Sequence, residues 1–126
     1  MLNQTGITKV SGTTRKTILI APELAFSLSC KVTNAGVQAD EDGRKIIKAG
    51  TPVTGNIEDR DTAFTIAGAE DTPCGIILHD VDVTKGTANS QFVIFGFVDL
   101  SKLEDSVRAL LTSGMKEKLP KITFVV

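Results

Sequence analysis

With 126 residues, 41% of them apolar, the chain suits one domain that can bury roughly two-thirds of its unfolded surface without staples. A net charge of −1, fourteen dispersed basic residues and the absence of Trp and Tyr argue against a nucleic-acid surface, which needs a basic patch and often stacking rings. No apolar run approaches the ~20 residues of a bilayer span and no leader-peptide pattern is present, so a soluble protein made in a cytoplasm is expected.

Residues 1–16, "MLNQTGITKVSGTTRK", are rich in Thr, Gly, Ser and Lys, with Leu2, Ile7 and Val10 as apolar anchors. So few anchors cannot order a segment alone, and the expectation is a mobile arm. Its Thr content and lack of Pro leave it competent to become a strand. Residues 17–126 are then expected to form one β-rich domain. In "TILIAPELAFSLSCKV", Pro22 interrupts an apolar run. The part before it reads as a strand, and the part after it reads equally as strand or as the opening of a short helix.

Asp40-Glu41-Asp42-Gly43 and Gly50-Thr51-Pro52 are turn signals between short apolar stretches. Residues 56–73 form a polar connection around the apolar piece Ala63–Ala67. Gly75–Val83 and Phe92–Val98 follow as strands of a hairpin-like pair, joined by the polar loop "TKGTANSQ". Phe92 and Ile94 on one face of the second strand, with Val93, Phe95 and Phe97 on the other, predict a central strand covered on both sides.

One helix is expected next. Ser101 serves as its N-cap, and Glu104 completes a capping box. Leu103, Val107, Leu110 and Leu111 form its apolar stripe, and Gly114 ends it ahead of Pro120. The alternation of Ile122, Phe124 and Val126 with Lys121 and Thr123 makes "KITFVV" a last strand.

The chemistry-bearing residues concentrate in "CGIILHDVDV". In an extended strand Asp80 and Asp82 share a face and His79 takes the other, so they cannot ligate one ion unless a bulge intervenes. A change of apolar parity between Ile76/Leu78 and Val81/Val83 makes room for one. Even then the stretch supplies at most three ligands, against the four, or three plus water, that zinc takes. Cys74 and His79 are ~16 Å apart along a strand, beyond the reach of a Cys–His pair. Glu58 and Asp59 read as solvated charges in a polar loop. With no GxSxG, GxGxxG or phosphate loop, the stretch reads as a half-solvated strand, with no cofactor, metal or small-molecule substrate, and the chain as a non-enzyme. Cys30 and Cys74, far apart in sequence and outside any CxxC, leave a disulfide open, with two buried free thiols the expectation for a reduced compartment.

The order of these pieces resembles the head decoration proteins of tailed bacteriophages, the lambda-type capsid cement proteins. The similarity rests on "AGTPV" (Ala49–Val53), the acidic connection, "CGIILHDVDV" (Cys74–Val83), "FVIFGFVDLSKL" (Phe92–Leu103) and "ITFVV" (Ile122–Val126), and covers Lys48–Val126. It implies a mainly β domain with one short α-helix, sandwich- or barrel-like, that trimerises on the outer surface of an expanded head. There it would clamp the major capsid protein against the pressure of packaged DNA, after synthesis in the host bacterial cytoplasm. The arm, through Leu2, Thr5, Ile7, Thr8 and Val10, would add to a capsid sheet, since β-augmentation uses backbone hydrogen bonds and tolerates Thr and Ser. The rival readings are another β-rich virion part, such as a tail-tube or head-fibre component, and a small ligand-binding β-barrel or enzyme.

Overall fold

The computed structural model describes residues 17–126. The apolar residues come in short stretches broken by Gly, Asp and Pro, and the structure follows that rhythm. Its strands are β1 (Leu19–Ile20), β2 (Phe26–Val32), β3 (Ile46–Ile47), β4 (Pro52–Thr54), β5 (Thr65–Ile66), β6 (Gly75–Ile77), β7 (Val81–Asp82), β8 (Ala88–Asp99) and β9 (Ile122–Val125). Two short helices, α1 (Asp105–Leu110) and α2 (Ser113–Glu117), lie between β8 and β9. The ambiguous "PELAFSL" divides: Pro22–Leu24 is a single 3₁₀ turn, Ala25 is its C-cap, and β2 begins at Phe26.

The β-branched and aromatic run of β8 makes it the spine. Phe92 pairs with both Leu28 of β2 and Ile77 of β6, so those strands flank the first half of β8. Phe97 pairs with both Ile20 of β1 and Thr123 of β9, so the second half is flanked as well, with β9 parallel. From β8 the sheet runs through β6 and β4 to β5. A bridge between Val32 and Phe64, made by Thr33 N–H to Phe64 O (3.0 Å) and Phe64 N–H to Lys31 O (2.7 Å), joins the start of β5 back to β2. The ring β2–β8–β6–β4–β5 therefore closes into a small barrel, which removes edges that would otherwise template aggregation.

Two cores result. Cys30, Val32, Ile47, Val53, Phe64, Ile77, Val83 and Phe92 form one, with the Phe64 and Phe92 rings 5.0 Å apart. Ile18, Leu19, Ile76, Val93 and Val98 meet Leu103, Val107, Leu111, Met115, Leu119 and Ile122 in the other. Adjacent residues Ile76 and Ile77, like Phe92 and Val93, thus point into different cores. Continuous apolar runs in β6 and β8 are what a strand covered on both faces requires. Gly50, at φ 93°, turns the chain where the helical segment rests; a Cβ there would sit 2.6 Å from Leu103 Cδ2.

Four expectations are corrected. Gly75–Val83 is not one strand: the chain leaves the barrel sheet after Ile77, and Val81–Asp82 pairs with β3 in a separate two-stranded sheet. The parity change in the sequence marks this break. The loop after it is shorter than "TKGTANSQ", because β8 already begins at Ala88 and its first residues pair with β2. The second half of β8 is not covered on both sides, since Phe95 and Phe97 are 47% and 38% exposed.

The fourth correction is the helix. The Asp99 carboxylate caps a 3₁₀ turn at Leu100–Lys102 by accepting from Ser101 N–H, so Ser101 is not a cap. Glu104 precedes α1 without a side-chain cap bond. The chain breaks again at Leu111, and Thr112 caps α2 by accepting from Met115 N–H. Gly114 lies inside α2 instead of ending a helix. Leu103, Val107 and Leu111 are buried as expected, while Leu110 is 43% exposed, because the two breaks rotate it off the stripe. Among the described residues no helix is long and apolar enough to cross a membrane.

Candidate functional site

The polar residues around His79 are mostly tied into local backbone. The Asp80 carboxylate accepts from Ala49 N–H at 2.8 Å, fixing the turn before β4. Asp82 accepts from the Thr84 N–H at 2.9 Å and from the Thr84 hydroxyl. These bonds, the hydroxyl's first, hold the Asp82 carboxyl below the ordinary carboxylate range. His79, half-buried, and Asp80 line a cleft of ≈330 Å³ beside Lys48, Lys102 and Glu104, with Lys48 Nζ 3.3 Å from a Glu104 carboxylate oxygen. Asp82 does not line it. Among the described residues no three His, Cys, Asp or Glu side chains are grouped to hold a metal.

The cysteines sit elsewhere. Cys30 is buried in the barrel core and Cys74 packs half-buried against it, its Sγ 3.5 Å from Val53 O. Both are free thiols. Desolvation first, then the neighbouring Cys74, pushes the Cys30 thiol up to about 11, and burial raises Cys74 as well. Such shifts oppose the thiolate that a nucleophile or metal ligand needs.

What the fold leaves open is a sheet face. Between Phe26 and Ser27 the register of β2 on β8 slips, with Phe26 opposite Phe95 and Ser27 opposite Val93. Ile94 is the extra residue of a bulge, and the buried parity of β8 changes there from Val93 to Gly96 and Val98. Phe95 and Phe97 therefore turn outward on one face. Phe26 stands directly across from Phe95, and Ile20 directly across from Phe97. On the other edge Thr123 pairs with Phe97 and Val125 with Asp99. Phe26 (56%), Phe95, Phe97, Ile20 and Val125 are all substantially exposed, which makes an apolar row across β2, β1, β8 and β9. Direct cross-strand neighbours are close enough for their side chains to form one surface.

The row includes one carboxylate, that of Asp99 across from Val125. Asp99, at its end, accepts from the Ser101 N–H (2.9 Å) and hydroxyl (2.6 Å), and these bonds, the hydroxyl's first, lower its carboxyl below the usual range. Gly96, between the two phenylalanines, has φ 150°, and a Cβ there would lie 3.1 Å from Ala25 Cβ. Glycine thus lets the β1–β2 connection press against β8 and set Phe26 beside Phe95.

Leu2, Thr5, Ile7, Thr8 and Val10, the residues expected to engage a capsid, lie outside the described residues. The apolar row was not expected from the sequence, where Phe95 and Phe97 read as core. The available signal was "FVIFGF", in which five large apolar residues leave no polar face and a glycine separates two rings. No protein-family model matches the chain, and no curated protein matches it in sequence.

Proposed function

We propose that this protein is a structural virion component that binds the outside of an expanded bacteriophage head as a trimer and stabilises it against internal DNA pressure. One observation carries the reading: the barrel is filled by its own side chains, while an apolar sheet face is left in solvent. A binding enzyme inverts that arrangement, with a concave apolar pocket holding a few convergent polar groups. An uncovered apolar face of this kind belongs to protein–protein contact. The order of sequence elements, similar to lambda-type decoration proteins, gives that contact its setting. In this role the folded body supplies the trimer, and Leu2, Thr5, Ile7, Thr8 and Val10 add a strand to the major capsid protein.

The test is to mix the purified chain with unexpanded and expanded heads that lack a decoration protein. Saturable binding to expanded heads alone, with a raised temperature of head disruption, is the expected outcome. Stacked rings of the pure protein, with no head binding, would point to a tail-tube subunit instead.

A further inference from the structure

We infer that the apolar row of Ile20, Phe26, Phe95, Phe97 and Val125 is the surface through which copies of this chain join one another. The inference rests on the decoration reading only for the number of copies; the surface itself follows from exposure and register. With fractions of 38–56% exposed, these side chains, with Leu24 (57%) in the adjoining turn, present on the order of 500 Å² of apolar surface. That is near the upper limit for the largest patch on a monomer. It also matches the apolar part of a standard interface, which buries roughly 800 Å² per partner.

The composition selects the occupant. Interfaces between identical copies are more apolar than transient ones, and charged residues are depleted at their centres. Here the centre is Phe97 flanked by Ile20 and Thr123, and the carboxylate at the margin, Asp99, is already satisfied by Ser101. Residues 1–16 of the same chain contribute Leu2, Ile7 and Val10 as branched apolar side chains, too little surface to cover three phenylalanines. A face this apolar needs cover from the moment the chain folds. Another copy is the partner present at that moment.

The experiment is the mass of the free full-length protein by sedimentation equilibrium, with no capsid present, against the 13.4 kDa of one chain. The intact chain is expected to be an oligomer at micromolar concentration. Phe95→Asp and Phe97→Asp should each weaken association by more than about thirty-fold, the loss typical of a central aromatic. Leu110→Asp, on an equally exposed leucine of α1 away from this face, should leave the mass unchanged. Far-UV circular dichroism checks folding, and Ile20→Lys, on the two-residue edge strand, takes over if an aspartate in β8 unfolds the domain. A monomeric intact chain at ~100 μM, or oligomers that survive both substitutions, would overturn the inference. A monomeric chain whose Phe97→Asp variant loses head binding assigns the face to the capsid protein, which also overturns it but leaves the decoration reading standing. Oligomers held by this face that bind no head sink the decoration reading and uphold the inference.

Discussion

At the scale of single residues, the Cys30 thiol makes a pH-dependent contribution whose sign is fixed. Its value in the fold, about 11, lies above the ordinary 9.0. The unfolded chain therefore gives up this proton first as pH rises. The stabilising contribution is complete below pH 9 and is lost between 9 and 11. Chemical denaturation at pH 8 and pH 10.5 should show a larger loss for the intact chain than for Cys30→Ala, and equal losses would remove the argument. The carboxyls of Asp82 and Asp99 have the opposite sign: they are lowered, so their contribution is present above the ordinary carboxylate range and lost on acidification. Gly96→Ala combines an unfavourable φ with a tight contact on Ala25, and should destabilise by about 1–3 kcal/mol. Adding Ala25→Gly should return only the part due to contact. Full rescue would mean the backbone conformation at position 96 is not strained.

At the scale of elements, the helical segment divides side chains that the sequence treats alike. Leu110 and Leu111 both fit an apolar stripe, yet Leu111 is 3% exposed and Leu110 43%. Leu111→Ala should cost about 2–5 kcal/mol through the cavity it leaves, and Leu110→Ala less than about 1 kcal/mol. Urea denaturation of the two variants measures this directly, and equally large losses would mean that one continuous helix with both leucines on its stripe forms after all. The stripe was legible because Leu103, Val107 and Leu111 must reach the core wherever the backbone breaks. The breaks were not, because Asp99 and Thr112 compete for the cap with Ser101, and only tertiary packing chooses among such residues. The β6–β8 pairing and the turns at Asp40–Gly43 and Gly50–Pro52 were readable from apolar runs and turn residues. The exit of the chain to β7 left a trace in the parity of Val81 and Val83. The bulge at Ile94 left none, since it depends on the register that β2 takes from a distant part of the chain. The apolar row depends on that bulge, which is why Phe95 and Phe97 read as core.

At the scale of the whole molecule, the proposed role separates two tasks by composition. The folded body has apolar surface to share with copies of itself, whereas residues 1–16 have Thr, Ser and Gly with few anchors, suited to backbone pairing. Deleting residues 2–14 leaves in place every core residue named among the described residues, so the melting temperature should stay within a few degrees of the intact chain. The oligomer should persist too, because Ile20, Phe26, Phe95, Phe97 and Val125 remain. Head binding should be abolished or sharply weakened, since the strand that would add to the capsid sheet is gone. Thr8→Pro should cause part of the same loss by removing one ladder donor without shortening the chain. Co-sedimentation of the intact, truncated and Thr8→Pro proteins with expanded heads measures all three. If the truncated protein binds as well as the intact one, Leu2, Thr5, Ile7, Thr8 and Val10 have no part in docking and the contacts lie on the folded body. A Thr8→Pro protein that binds normally while the truncation fails would show that side-chain anchoring, and not strand addition, joins this segment to the head.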